Sequence, residues 1–155
     1  MKKTNNKGFS LVELIIVIAI MAILIGVLAP QYIKYVEKSR VSADKDLLDS
    51  VYNALTTAYG DPDCTNAPGA TAGGIASLTG TGNAKDFTTL VMETLGQGSQ
   101  GSGAAVDSKL KSKIAKSGGT AVSFTCDANG NFTVYVGGTV GTADVDYIAV
   151  GAGVQ

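Results

Sequence analysis

"KGFSLVELIIVIAIMAILIGVLAP", residues 7–30, is an apolar run that opens on a basic residue and keeps one carboxylate, Glu13. No residue between Glu13 and Lys34 is charged. At about 1.5 Å per residue, a helix over that stretch is about 30 Å long, the thickness of a bilayer's hydrocarbon core. A cleaved secretory signal has a shorter apolar region and no acid where that region begins. A plain membrane anchor fits the length but leaves Glu13 unexplained. A carboxylate within a span costs a few kcal/mol, roughly, and calls for a partner.

The rest of the chain differs in character. Its 155 residues suffice for one modest domain beyond the apolar run. That remainder is rich in Gly, Ala, Thr and Ser and poor in aromatics, so its core is small. Histidine is absent, which removes the commonest acid/base residue and metal ligand at neutral pH and with it any Ser/His/Asp or Cys/His constellation. The net charge is −1, and the basic residues are read as clustering only at the N-terminus. On that reading electrostatics make no case for nucleic-acid binding by the single chain. Lys2, Lys3 and Lys7 precede the apolar run, so the positive-inside bias keeps the N-terminus cytoplasmic and places the bulk of the chain outside. Cys64 and Cys126 both fall outside, where disulfides persist, and are a candidate pair; two buried free thiols are the alternative.

"KGFSLVELIIVIAIMAILIGVLAPQYIKYVEKSR", residues 7–40, resembles the N-terminus of type IV prepilins. The likeness is strong over about residues 1–59 and architectural beyond. It implies a leader, residues 1–8, that prepilin peptidase removes between Gly8 and Phe9. The same enzyme would N-methylate Phe9. Residues 9–33 would be the transmembrane and filament-core half of the helix, and 34–155 an extracellular globular domain. Glu13 matches the family's acid and Pro30 its helix-bending proline; both are expected to serve assembly. Cleavage exposes a cationic amine at Phe9, about one helical turn from Glu13. The carboxylate is expected to neutralise that amine, within one subunit or between subunits. Gly26 and Pro30 weaken the helix locally, as a simple kink or as a stretch that unwinds in the fibre.

After Pro30 the pattern turns amphipathic. Val41, Leu47, Leu48, Val51, Tyr52, Leu55, Ala58 and Tyr59 form a stripe, while Arg40/Asp44 and Lys45/Asp49 are spaced for weak surface pairs. "GDP" at Gly60–Pro62 stops the helix. Residues 61–82 read as a connection without structure. "NAKDFTTLVMETLG" predicts a helix carried by Phe87, Leu90, Val91 and Leu95, with Asn83 or Asp86 as N-cap. "GQGSQGSG" reads as a flexible hinge. "VDSKLKSKIAKSGG" predicts one short helix on Val106, Leu110 and Ile114. "TAVSFTCDANGNFTVYVGG" alternates on either side of Asn129-Gly130, a hairpin signal, and "DVDYIAVG" is a further strand.

The expected fold is therefore α+β. A long N-terminal helix packs on a C-terminal antiparallel sheet of about three or four strands, the ladle-like form the resemblance implies. "DANGNFT" has calcium-like spacing at Asp127, Asn129 and Asn131 but lacks the sixth-position Gly and the final Glu, so a turn is preferred. "DPD" at Asp61 and Asp63 is read as a helix stop, and the Asn131 sequon falls in a strand. Neither an enzyme activity, a metal nor a cofactor is expected. The resemblance implies a structural pilus subunit that polymerises with identical copies. Its partners would be prepilin peptidase, the pilus assembly platform with its ATPase, and the cytoplasmic membrane before assembly. The fibre would be extracellular and serve twitching motility, adhesion or DNA uptake, with nucleic acid bound only at the level of the fibre. The alternatives are a type II secretion pseudopilin, a competence pilin, or a membrane-anchored enzyme or receptor.

Overall fold

A computed structural model describes residues 9–117, 121–138, 147–152 and 154. The expected leader (1–8), the Gly-Gly after Ser117 and the start of the last predicted strand (144–146) lie outside these residues. Helix α1 runs from Leu11 to Gly60 over 50 residues, uninterrupted at Pro30. The chain divides into two compact units, Met1–Lys38 and Ser39–Gln155.

In the second unit the C-terminal half of α1 lies against a four-stranded sheet. The strands are β1 (Thr71–Gly74), β2 (Ser123–Cys126), β3 (Phe132–Val136) and β4 (Ile148–Gly151), in that order and all antiparallel. Between β1 and β2 come a 3₁₀ turn (Ile75–Ser77) and three helices: α2 (Phe87–Thr94), α3 (Ala104–Asp107) and α4 (Lys113–Ser117). The architecture is α+β, as the patterning predicts.

The helix stripe reaches the core as expected at Leu48, Val51, Leu55 and Ala58, joined by Ala54. Burying such side chains stabilises by roughly 1.5–3 kcal/mol each for the larger ones. The sheet supplies Val122, Phe124, Phe132, Val134, Val136 and Ile148 from its inner face. Phe132 is the hub of the aromatic contacts. It stacks on Phe87 at 6.3 Å, meets Phe124 at 6.2 Å and takes Tyr59 edge-on at 5.6 Å.

Several local expectations are corrected. Asp44 does not lie at the surface. It is buried, and its two oxygens accept the backbone N–H groups of Lys111 (2.9 Å) and Ser112 (2.8 Å). That capture also explains why residues 104–117 are two short helices and not one. A helix would need the amides of 111 and 112 for its own ladder, and the carboxylate of Asp44 takes them instead. Ser112 then caps α4 by accepting the Ala115 N–H at 3.2 Å. Asp107 closes the far side, accepting the Val122 N–H at 2.8 Å.

The Gly-rich connections are also ordered. Segment 61–82 contains β1, whose residues pair with β2 in register Thr71↔Cys126 to Gly74↔Ser123. The stretch read as a hinge is pinned against it. Gly80 N–H donates to Gly101 (2.9 Å), Gly82 to Ser99 (3.0 Å) and Gly103 to Leu78 (3.0 Å). A Cβ at Gly103 would fall on the Ile75 carbonyl, and one at Gly80 on the Ser99 carbonyl. Glycine is used here for close backbone approach, not for flexibility. The β2–β3 connection spans residues 127–131, longer than a two-residue Asn-Gly turn. Asp127 fills it, accepting the amides of Asn129 and Asn131 and the side-chain amide of Asn131, each at 2.8 Å.

Asp86, the N-cap of α2, accepts mainly from side chains. Thr81 (2.7 Å), Thr88 (3.3 Å) and Asn66 (3.4 Å) donate to it. The Thr81 hydrogen bond is the main reason its pKa lies below the usual carboxylate value, against an opposing push from burial. A depressed pKa stabilises the fold above the unfolded value of about 3.9, and that contribution is lost as pH falls through the folded pKa. Asp127 is lowered by its bonds to Asn131 and acts in the same window. Asp107 is raised by burial and acts in the opposite sense. An Asp86→Asn chain is expected to be about 1–2 kcal/mol less stable at pH 7. It should also lose less of its Tm than the parent between pH 5 and pH 3. Thermal melts at the two pH values check this; equal acid losses in the two chains would refute it.

Candidate functional site

The candidate site is the N-terminal end of α1 together with the apolar surface behind it. Phe9 and Ser10 precede the helix and are exposed, and the helix begins at Leu11. Leu14 N–H donates to the Ser10 carbonyl at 3.2 Å, the first bond of the helical ladder. Ser10 therefore occupies the N-cap. The Glu13 Oε2 accepts the Ser10 backbone N–H at 3.2 Å. Ser-x-x-Glu with the acid folded back on the cap amide is half of a capping box. This role was legible in "SLVE" and had been overlooked beside the more conspicuous question of charge. An acid here also suits the positive end of the helix dipole.

The geometry sets Phe9 and Glu13 near each other at the start of the helix. Phe9 is 84 % exposed and lies outside the helix, so the peptide bond on its N-terminal side meets no helical hydrogen bonding at Phe9. Gly8, the other half of the expected cleavage site, lies outside the described residues. Glu13 is held one turn into the helix, its carboxylate turned back toward residue 10. A positive charge placed on the nitrogen of Phe9 would thus be one residue from an amide that Glu13 already binds. The Phe9 nitrogen of the uncut chain is an amide and carries no such charge.

Behind this cap, Leu11, Ile15, Ile18, Ile23, Leu24 and Leu28 are all more than half exposed, and their large apolar neighbours around the helix are exposed too. Among the described residues α1 is the one helix long and apolar enough to cross a membrane, and none of its most apolar stretch is buried. A surface of this kind, apolar all round, requires lipid or other apolar surfaces to cover it. Pro30 sits within the helix and lacks the N–H that would reach Gly26, four residues back. Gly26 has no side chain for the proline ring to strike and no atom within 4 Å of where one would be.

Cys64 and Cys126 stand as free thiols, Cys64 half-buried and Cys126 buried. Cys64 Sγ approaches its neighbour's carbonyl, Thr65, at 3.6 Å. Cys126 Sγ lies 3.5 Å from the Asp127 carbonyl and 4.0 Å from that of Pro68. Burial, then Asp61 and Asp86, push the Cys64 thiol up; burial, then Asp127, do the same for Cys126. Among the described residues no group of acids and cysteines is arranged to hold a metal.

A capped, exposed and apolar N-terminal helix followed by an α+β unit fits a membrane-anchored protein. Residues 3–29 match the family model described as the prokaryotic N-terminal methylation motif. The chain is 39 % identical over 80 residues to fimbrial protein EcpC of Eikenella corrodens, covering 52 % of each chain. It is 35 % identical over 75 residues to a type IV major fimbrial protein FimA of Dichelobacter nodosus, covering 48 % of this chain and 47 % of that one. It is 38 % identical over 59 residues to the type IV major pilin protein PilA of Myxococcus xanthus, covering 38 % of this chain and 27 % of that one. The chain thus spans about half the length of the first two relatives and about a quarter of the third. Over its N-terminal portion the chain is similar to type IV pilins. No solved structure matches it.

Proposed function

We propose that the chain is the precursor of a structural type IV pilus subunit. Prepilin peptidase cuts between Gly8 and Phe9 and methylates the new amine. The apolar half of α1 holds the subunit in the cytoplasmic membrane until an ATPase-driven platform transfers it into a filament of identical copies, displayed outside the cell. There the same apolar residues pack against each other. The observation that carries the reading is the surface of α1: large apolar side chains exposed on every face, directly behind a cap that holds a carboxylate one turn from Phe9. Glu13 and Pro30 act in assembly, the first as counter-charge and the second as the weak point of the rod. The similarity to major fimbrial proteins favours a major subunit over a secretion pseudopilin, and the fibre would serve motility, adhesion or DNA uptake.

N-terminal sequencing and intact mass of surface material sheared from cells test this. The expected first residue is Phe9 bearing one methyl group, in filaments. Mature chains that keep Met1, or that never pellet as filaments, would overturn it. On the same reading Cys64 and Cys126 lie outside the membrane and are the candidate disulfide pair. Intact mass with thiol alkylation before and after reduction decides it, two alkylated thiols without reductant counting against the bond.

A further inference from the structure

The segment Ser108–Ser117 carries Lys109, Lys111, Lys113 and Lys116, four lysines in eight residues, and all four side chains are exposed. Reading the chain's charge as basic only at its N-terminus missed this strip. Between the lysines, Leu110, Ser112 and Ala115 are buried, and Asp44 clamps the backbone at 111 and 112. The strip is thus a fixed array and not a loose tail. Beside it opens a groove of about 410 Å³. Ala43, Asp46 and Leu47 line it from α1, and Lys109 and Lys111 from the strip.

The same unit has an acidic end. Asp61 and Asp63 follow the last residue of α1, and Asp127 lies in the hairpin turn whose Gly130 touches Tyr59. Lys85 offsets Asp63 alone, at 3.2 Å. Asp44 and Asp61 are separated by 17 positions of sequence along α1, about 25 Å at the helical rise. Positive and negative surfaces therefore sit at opposite ends of one rod-backed unit.

We infer that the lysine strip and its groove dock the acidic end of an adjacent copy of this chain in the filament. The inference rests on the pilus reading above. The apolar lining at Ala43 and Leu47 suits a folded protein surface better than a solvated polyanion. A net charge of −1 gives no long-range capture of a polyanion. Each exposed pair is weak, but a filament repeats it at every subunit.

Three variants of the full chain test the inference: Lys109→Glu with Lys111→Glu, Asp63→Lys, and all three changes together. Sheared filaments are incubated at rising NaCl and the released subunit is measured. At low salt each patch variant is expected to release about threefold more subunit than the parent. The difference should close near 1 M salt, where screening acts within about 3 Å. The combined variant should return most of the way to the parent. Unchanged melting of the detergent-extracted chains shows that the fold survives. Parent-like release from both patch variants overturns the inference, as does a combined variant no better than its parts. So does a lysine variant whose filaments are intact but no longer bind random-sequence duplex DNA, since the strip is then a polyanion surface. A parent chain that keeps Met1 and forms no filaments brings down the pilus reading itself, a result distinct from all of these.

Discussion

A Glu13→Val chain is expected to be cleaved before Phe9 like the parent and to build few or no filaments. Two separable effects stand behind this. Valine cannot accept the Ser10 N–H, so the helix loses one cap bond, which costs about 1 kcal/mol. It also leaves the amine of Phe9 without a counter-charge once the filament interior excludes water, and breaking a buried pair on one side costs about 3–5 kcal/mol. Glu13→Gln distinguishes the two. Glutamine serves a capping box as glutamate does, but it carries no charge. Filament yield on shearing, with N-terminal sequencing to confirm cleavage, is the measurement. If the glutamine chain also fails to assemble, the charge is the cause. If it assembles like the parent, capping alone suffices and the ion-pair account fails. Abundant fibres from the valine chain would sink both.

How much of this was legible in the sequence follows from which interactions are local. The apolar run, the stripe from Leu48 to Ala58 and the stop at Gly60 are set by residues within a few positions of each other. Periodicity captures them, and they appear as expected. The hairpin on either side of Asn129-Gly130 was legible for the same reason, though its five-residue connection was not, because Asp127 sets it by reaching four residues forward. Partners distant in sequence defeated the reading. Asp44 looks like any surface acid until residues 111 and 112 are brought against it, 67 and 68 positions away. The Gly-rich stretches near 80 and 101 each look like linkers alone; their composition makes sense only as a pair of backbones in contact. β1 has the sequence Thr-Ala-Gly-Gly, with almost no strand propensity, and exists because β2 offers it an edge. The candidate site is different. The capping box is local, Ser10 and Glu13 lying three residues apart, and is legible in "SLVE" beside the charge.

The largest stability effect is expected at Asp44, and it follows from that long-range clamp. Asp44→Ala removes an ionised acceptor from two amides, one of them on the fully buried Ser112. Hydrogen bonds to a charged group contribute about 1.5–3 kcal/mol each, and the orphaned donors have no helical acceptor because α3 has already ended at Asp107. A loss of about 3–5 kcal/mol is expected in the melting of the detergent-extracted chain, a Tm drop on the order of 15 °C. Asp44→Asn should fall between, since its one carbonyl oxygen can serve one amide while its NH₂ faces the other donor. Ser112→Ala should cost less than either, because it keeps its own N–H to Asp44 and gives up the cap on Ala115 alone. That ranking identifies the carboxylate, and not packing around it, as what holds residues 111 and 112 in place. A cost under about 1 kcal/mol for Asp44→Ala would show that residues 108–113 find other partners when the clamp is gone. The lysine strip would then be no fixed array, and its role in docking would lose its structural basis as well.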